Sequence, residues 1–199
     1  MMKRWSLLHR WRGCFALLAL AVVCLQPPLA KAASVAASAA ASVPAVVAAL
    51  VPEAAAVGSG TYSYVFWDLY TATLYAPAGQ WRAEAPFALE LRYLTDLKGR
   101  KIASVSRDEI ARQGRFDDAR LAAWEARMAE VFPDVQPGSV LTGVRLADGT
   151  TRFYVGEREL GQITDPAFAQ AFFDIWLGQA TRDRELRSQL LGQVEGNRR

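Results

Sequence analysis

The 199-residue sequence contains one histidine, His9, and two cysteines, Cys14 and Cys24, and none of the three lies beyond position 24. Charge is as unevenly spread: no Lys or Arg occurs between Lys31 and Arg82, and no charge of either sign between Lys31 and Glu53. The apolar run 13–25 is shorter than the roughly 20 residues a membrane-spanning helix needs. It follows a basic stretch with Lys3, Arg4, Arg10 and Arg12, and precedes Gln26-Pro27-Pro28 and the small-x-small triplet Ala30-Lys31-Ala32. That order describes a secretory signal peptide, with cleavage expected near Ala32 and a periplasmic or secreted destination. An uncleaved anchor is the alternative. Val22-Val23 before Cys24 argues against a lipoprotein site.

Each absence excludes a class of chemistry. Without residues 1–32 the chain has no thiol and no imidazole, so disulfides, Cys or Cys/His zinc sites, Cys nucleophiles and Ser-His-Asp triads are excluded. No calcium-loop spacing of Asp occurs, and neither a metal nor a cofactor is expected. The leader holds five of the 23 Lys and Arg and none of the 20 acidic residues. The remainder, 18 basic against 20 acidic, has a net charge of −2. The formal +3 of the whole chain therefore implies no nucleic-acid partner, and no basic stripe with interleaved aromatics is present.

Beyond the leader the sequence divides into three parts. Residues 33–57 are Ala, Val, Ser and Pro almost throughout and read as a flexible tether. Residues 58–192 read as one folded domain, and 193–199 as a polar tail. Within the domain, 61–76 is rich in aromatic and β-branched residues and predicts one long strand. Residues 87–94 alternate, with Phe87, Leu89, Leu91 and Tyr93 on one face and Glu90 and Arg92 on the other. Ser106 and Glu109 have capping-box spacing and predict a helix start. Asp117 opens a second helix that Pro133 ends. Strands follow at 139–146, 150–155 and 160–163, the first two joined by an Asp148-Gly149 turn. Asp165 and Pro166 open a helix that Gly178 closes, and Thr181 caps a last helix over 182–191. Strands around a helical middle imply an α+β fold, a large antiparallel sheet with helices packed on one face.

The helix 165–178, DPAFAQAFFDIWLG, is the most unusual element. At about 100° per residue, Phe168, Ala169, Phe172, Phe173, Ile175 and Trp176 span an arc of about 160°, wider than a one-sided helix needs. Phe168 and Phe172 fit a core role. Phe173 and Trp176, at the edge of the arc, are candidates for lining a ligand pocket.

Five stretches in fixed order, FWDLYTATLYAP, FALELRYLTDLKGRKIA, FPDVQPGSVLTGV, TRFYVGERELGQI and DPAFAQAFFDIWLG, resemble the bacterial chalcone isomerase-like proteins over residues 58–192. The resemblance implies an open-faced sandwich with a ligand cleft between sheet and helices. True members of that family close a flavanone ring, an intramolecular lyase reaction, using an Arg near the start of the first long core strand. Relatives of the same fold bind fatty acids without catalysis. Matching DLYTATLY to the enzymes' strand puts their Arg near Gly58-Ser59-Gly60 and their strand Thr at Tyr70. An oxyanion in an apolar cleft needs preorganised positive charge or donors, and losing one costs about 3 kcal/mol or more.

The expected partner is therefore an apolar or amphipathic small molecule such as a fatty acid, held between sheet and helices by a non-catalytic domain. The alternatives are a chalcone isomerase-type enzyme acting on a phenolic or unsaturated substrate, and a structural partner of an envelope protein. The expected ligand-binding residues are Arg92, Tyr70, Tyr75, Phe173 and Trp176. Arg92 is either a surface residue paired with Glu90 or a bidentate anchor for a carboxylate. Tyr70 and Tyr75 would offer hydroxyls, and Arg152 with Tyr154 is a second polar cluster.

Overall fold

A computed structural model describes residues 42–193. Six strands form one antiparallel meander in the order β1 (Ala54–Tyr64), β2 (Trp67–Pro77), β3 (Phe87–Tyr93), β4 (Val140–Arg145), β5 (Thr151–Val155) and β6 (Arg158–Ile163). Helices α2 (Gly99–Ala111), α3 (Asp118–Val131), α4 (Pro166–Leu177) and α5 (Arg184–Leu190) cover one face. A short helix, α1 (Ala45–Leu50), packs on the other. The expected architecture, an antiparallel sheet with helices against it, is the observed one.

Period-two alternation decides which side chains meet the helices. From β2 these are Ala72, Leu74 and Ala76; from β3, Phe87, Leu89, Leu91 and Tyr93; from β5, Phe153. They pack against Phe168, Phe172, Phe173 and Trp176 of α4 and against Leu121, Trp124 and Met128 of α3. The intervening residues Tyr75, Ala88, Val144 and Tyr154 point to the opposite face and meet Val47 and Val51.

Three boundaries differ from the sequence reading. The long strand expected over 61–76 is two strands, reversing at Val65-Phe66 with Tyr64 opposite Trp67. No Gly, Asn or Pro announces that turn, and Val65 takes the positive φ, +60°, that glycine normally supplies. Residues 42–57, expected in a flexible tether, form α1 and the start of β1. Six residues cannot sustain a helix in water alone; burial of Val47 and Val51 on the sheet holds α1. The rest of that expected tether, the expected signal peptide and residues 194–199 lie outside the described residues.

The third difference concerns α2. It begins at Gly99, so Ser106 is a buried mid-helix residue rather than a cap. The helix start is held by Asp134, whose Oδ1 accepts from the Gly99 amide at 3.0 Å. The last helix is likewise capped not by Thr181 but by Asp183, which accepts from Leu186 N, while Thr181 donates its hydroxyl to Ile175 O.

Asp165 does more than cap α4. Its carboxylate accepts from Ala167 N at 2.9 Å and Phe168 N at 3.4 Å, from Trp124 Nε1 at 3.0 Å, and pairs with Arg120 at 3.1 Å. Burial pushes this carboxyl upward, but the donors from Arg120, Trp124 and the two amides outweigh it and hold it below its ordinary value. One acid thus joins α3 to α4. Asp165→Ala should cost about 2 kcal/mol, a lost cap plus an indole left without its acceptor. With the folded-state pKa lowered, the contribution is complete above the unfolded carboxylate's pKa and disappears as pH falls through the folded one. Urea midpoints of parent and variant should therefore differ at neutral pH and converge in acid.

Candidate functional site

The seam between sheet and α4 is built from rings. Phe87 meets Phe173 edge-on at 4.7 Å between centroids, and Phe153 meets Phe172 at 5.3 Å. Phe172 contacts Phe168, Phe173 and Trp176 at 5.3–5.4 Å. Edge-to-face pairs of this kind add about 1 kcal/mol each beyond their burial. Gly143 on β4 lies under these rings: a Cβ there would sit in ordinary contact with Phe173 and Phe153, at 3.4–3.5 Å. Phe173 and Trp176, the expected pocket-lining residues, are 2% and 7% exposed and belong to the same packed cluster as Phe168 and Phe172. Phe173 meets the sheet's phenylalanines, and Trp176 meets its tyrosines.

At the tyrosine end, Trp176 Nε1 donates to Tyr70 Oη at 2.9 Å, linking helix to sheet. Tyr62 stacks on Tyr70 at 5.2 Å and Tyr93 meets it edge-on at 5.8 Å. Burial raises the phenol pKa of Tyr70 and Tyr93 well above the ordinary value, so neither serves as a base near neutral pH. Tyr62, half-buried, is raised by burial first and then by Glu109, with Arg182 opposing. Arg182 pairs with Glu109 at 2.9 Å and remains largely exposed. The mouth of the seam thus has a phenol and a guanidinium, Tyr62 and Arg182, neither of which the sequence patterns single out. Their neighbourhood comes from α5 packing on β1, a contact with no local sequence signal.

That contact is close. A Cβ at Gly58 would lie 2.0 Å from Gln189 O and 2.7 Å from Leu190 O; one at Gly60 would lie 2.0 Å from Gln189 Oε1 and 2.8 Å from Leu186 Cδ1. Ser59 turns away and donates to Ala72 O. These are the positions to which the resemblance assigns the enzymes' arginine. Here α5 lies where such a side chain would run. Among the described residues the buried polar side chains are Ser106, Thr142, Thr150 and Thr151, and no Arg or Lys is buried.

The structure divides the five expected ligand residues between two faces. Tyr70, Phe173 and Trp176 meet in the seam. Tyr75 and Arg92 lie on the opposite face, where Tyr75 packs under α1 and Arg92, more than half exposed, pairs with Glu90 at 3.6 Å. An arginine two residues from Glu90 on alternate strand positions shares its face, so Arg92 cannot anchor a head group under α4. Burial, then Glu90, pushes the Tyr75 phenol up to about 12, with Arg92 opposing. On the same face Tyr154 donates to Glu159 at 3.1 Å, beside Arg152. A separate surface cleft of about 470 Å³ is polar, with Asp96, Lys98, Asp134 and Gln136 in its lining. Among the described residues no cluster of three or more potential ligating side chains could hold a metal ion.

Residues 52–192 match the family model described as chalcone isomerase-like. In structure the chain resembles a fatty-acid binding protein of Arabidopsis thaliana, AtFAP1, with a TM-score of 0.56 and 12% sequence identity, covering 70% of this chain and 87% of that one. At that identity the likeness establishes the fold. No curated protein matches in sequence.

Two expectations follow from this geometry. Gly58→Ala should cost about 3 kcal/mol because backbone carbonyls oppose the new methyl, and Gly60→Ala about 1 kcal/mol because a flexible glutamine can yield; urea unfolding reads both. Burial raises the Glu90 carboxyl, with Arg92 opposing. Stability from the protonated form is present in acid and is lost as pH rises through the folded-state pKa. Glu90→Gln should therefore raise the urea midpoint at neutral pH, and the gain should vanish below the ordinary carboxylate range.

Proposed function

The chain belongs to the chalcone isomerase-like family, and on that premise we propose that it is a non-catalytic binding protein for a fatty acid or similar amphipathic molecule, taken up between sheet and helices. The observation that carries this reading is α5 seated on Gly58 and Gly60. An isomerase must stabilise an enolate-like oxyanion and guide a phenolate, which calls for positive charge inside the cleft. The helix lies over the strand position to which the resemblance assigns that charge, and among the described residues no Arg or Lys side chain is buried. The phenols there are held protonated by burial, which removes them as bases.

Such a surface suits an acyl chain. The apolar tail takes the volume of Trp176, and a carboxylate at the mouth faces Tyr62 and Arg182. Uptake is a displacement: Trp176 gives up its bond to Tyr70 and swings out as the tail enters. The exchange is balanced because one apolar group replaces another, and Tyr70 can donate to the head group or to water. AtFAP1, a fatty-acid binding protein by name, shares the fold and supports the same reading. Export to the periplasm, read from residues 1–32, would place this protein where free lipids need a carrier.

The ring-filled seam also favours a second reading, in which the domain is a closed structural partner of an envelope protein. Titration with a long-chain fatty acid separates the two. With fluorotryptophan incorporated and the Trp176 resonance assigned from Trp176→Phe, the carrier reading expects a saturable shift at Trp176 and little at Trp124. A silent Trp176 resonance, with no lipid extracted from gently purified protein, would leave only the structural role. Chalcone substrates should lose absorbance no faster than in buffer, and a rate that Tyr70→Phe abolished would contradict the non-catalytic assignment.

A further inference from the structure

The hairpin joining β1 to β2 ends in Tyr64, Val65, Phe66 and Trp67, which are 61%, 68%, 92% and 75% exposed. Of the two other large hydrophobic side chains exposed among the described residues, Leu94 and Val105, Leu94 lies at the same end of the sheet, its amide bonded to Leu69 O at 2.9 Å. The hairpin is closed by the Tyr64–Trp67 pair and by Ser63 Oγ donating to Asp68 at 2.6 Å. Val65 holds a φ of +60°, a strained value for a β-branched residue. The turn would be relieved by glycine, yet it carries apolar bulk that no part of the core uses.

We propose that this tip docks into the headgroup layer of a phospholipid bilayer. Three observations select a bilayer over a protein partner. The four side chains offer roughly 500 Å² on a convex apex, short of the about 800 Å² per partner in a stable protein interface. Their polarity is graded: Tyr64 and Trp67, with polar atoms, flank the turn, and Phe66, with none, is the most exposed. Tyrosine and tryptophan belong at headgroup depth and phenylalanine below it. The tip itself holds no charge, so docking draws on apolar burial and needs no anionic lipid. The inference does not depend on whether the seam takes a ligand.

The test uses the full chain with fluorotryptophan and phosphatidylcholine nanodiscs, with and without a doxyl-labelled lipid. The Trp67 resonance, assigned from Trp67→Phe, should broaden with the doxyl lipid while those of Trp81 and Trp124 do not, and the broadening should be the same at low and high salt. Phe66→Ser should reduce it several-fold without changing the urea midpoint. With no lipid present, a soluble gadolinium chelate should broaden Trp67 strongly. A Trp67 resonance indifferent to the doxyl lipid would overturn the proposal. So would one shielded from the chelate in lipid-free solution, since that would mean a second copy or another segment of this chain already covers the tip.

Discussion

The close approach of α5 to β1 governs the rest of the site. Two strand positions without side chains let a helix backbone settle onto the sheet, with Gln189 O lying where a Cβ at Gly58 would be. That seating fills the strand position an isomerase would use for its cation, and it brings Arg182 and Asp183 to the mouth beside Tyr62. It also closes one flank of α4, so that α4 can be apolar over more than one face. The proposed non-catalytic role and the shape of the seam thus rest on one steric fact.

The second determinant is the ring packing that α4 makes with β2, β3 and β5. Phenylalanine edges and faces fill one end of the seam, and a single hydrogen bond, Trp176 to Tyr70, ties the other. A buried Phe-to-Ala change in such a cluster costs about 3–5 kcal/mol, so the phenylalanine end is the fixed part. The tryptophan end is held by one polar contact beside half-buried Tyr62, and is the part that the proposed ligand would exchange with. Rigid packing at one end and one replaceable ring at the other are what a displacement mechanism requires.

Much of this was legible in the sequence. Alternation in 87–93 placed Phe87, Leu89, Leu91 and Tyr93 together and set Glu90 and Arg92 apart, and the structure keeps that division. Asp165 and Pro166 marked the start of α4, and Asp148-Gly149 marked the β4–β5 hairpin, because capping and turn chemistry act locally. The Val65-Phe66 reversal was hidden because its residues carry strand propensity and no turn signal. The helix at 45–50 was hidden because Ala and Val between prolines resemble a tether until the sheet face that stabilises them exists. Tyr62 and Arg182 could not be found because they are more than a hundred residues apart, and only α5 docking brings them near each other. Of the two alternatives for Arg92, the structure shows the surface one, paired with Glu90 on the face opposite α4, where its strand parity puts it.

A crystal structure of the full chain with a long-chain fatty acid bound would test the central claim most directly. The acyl chain should run between α4 and β2, with Trp176 turned away from Tyr70 and α5 still seated on Gly58 and Gly60. An acyl chain bound elsewhere while Trp176 still donates to Tyr70, or an arginine reaching into the seam in place of α5, would contradict it.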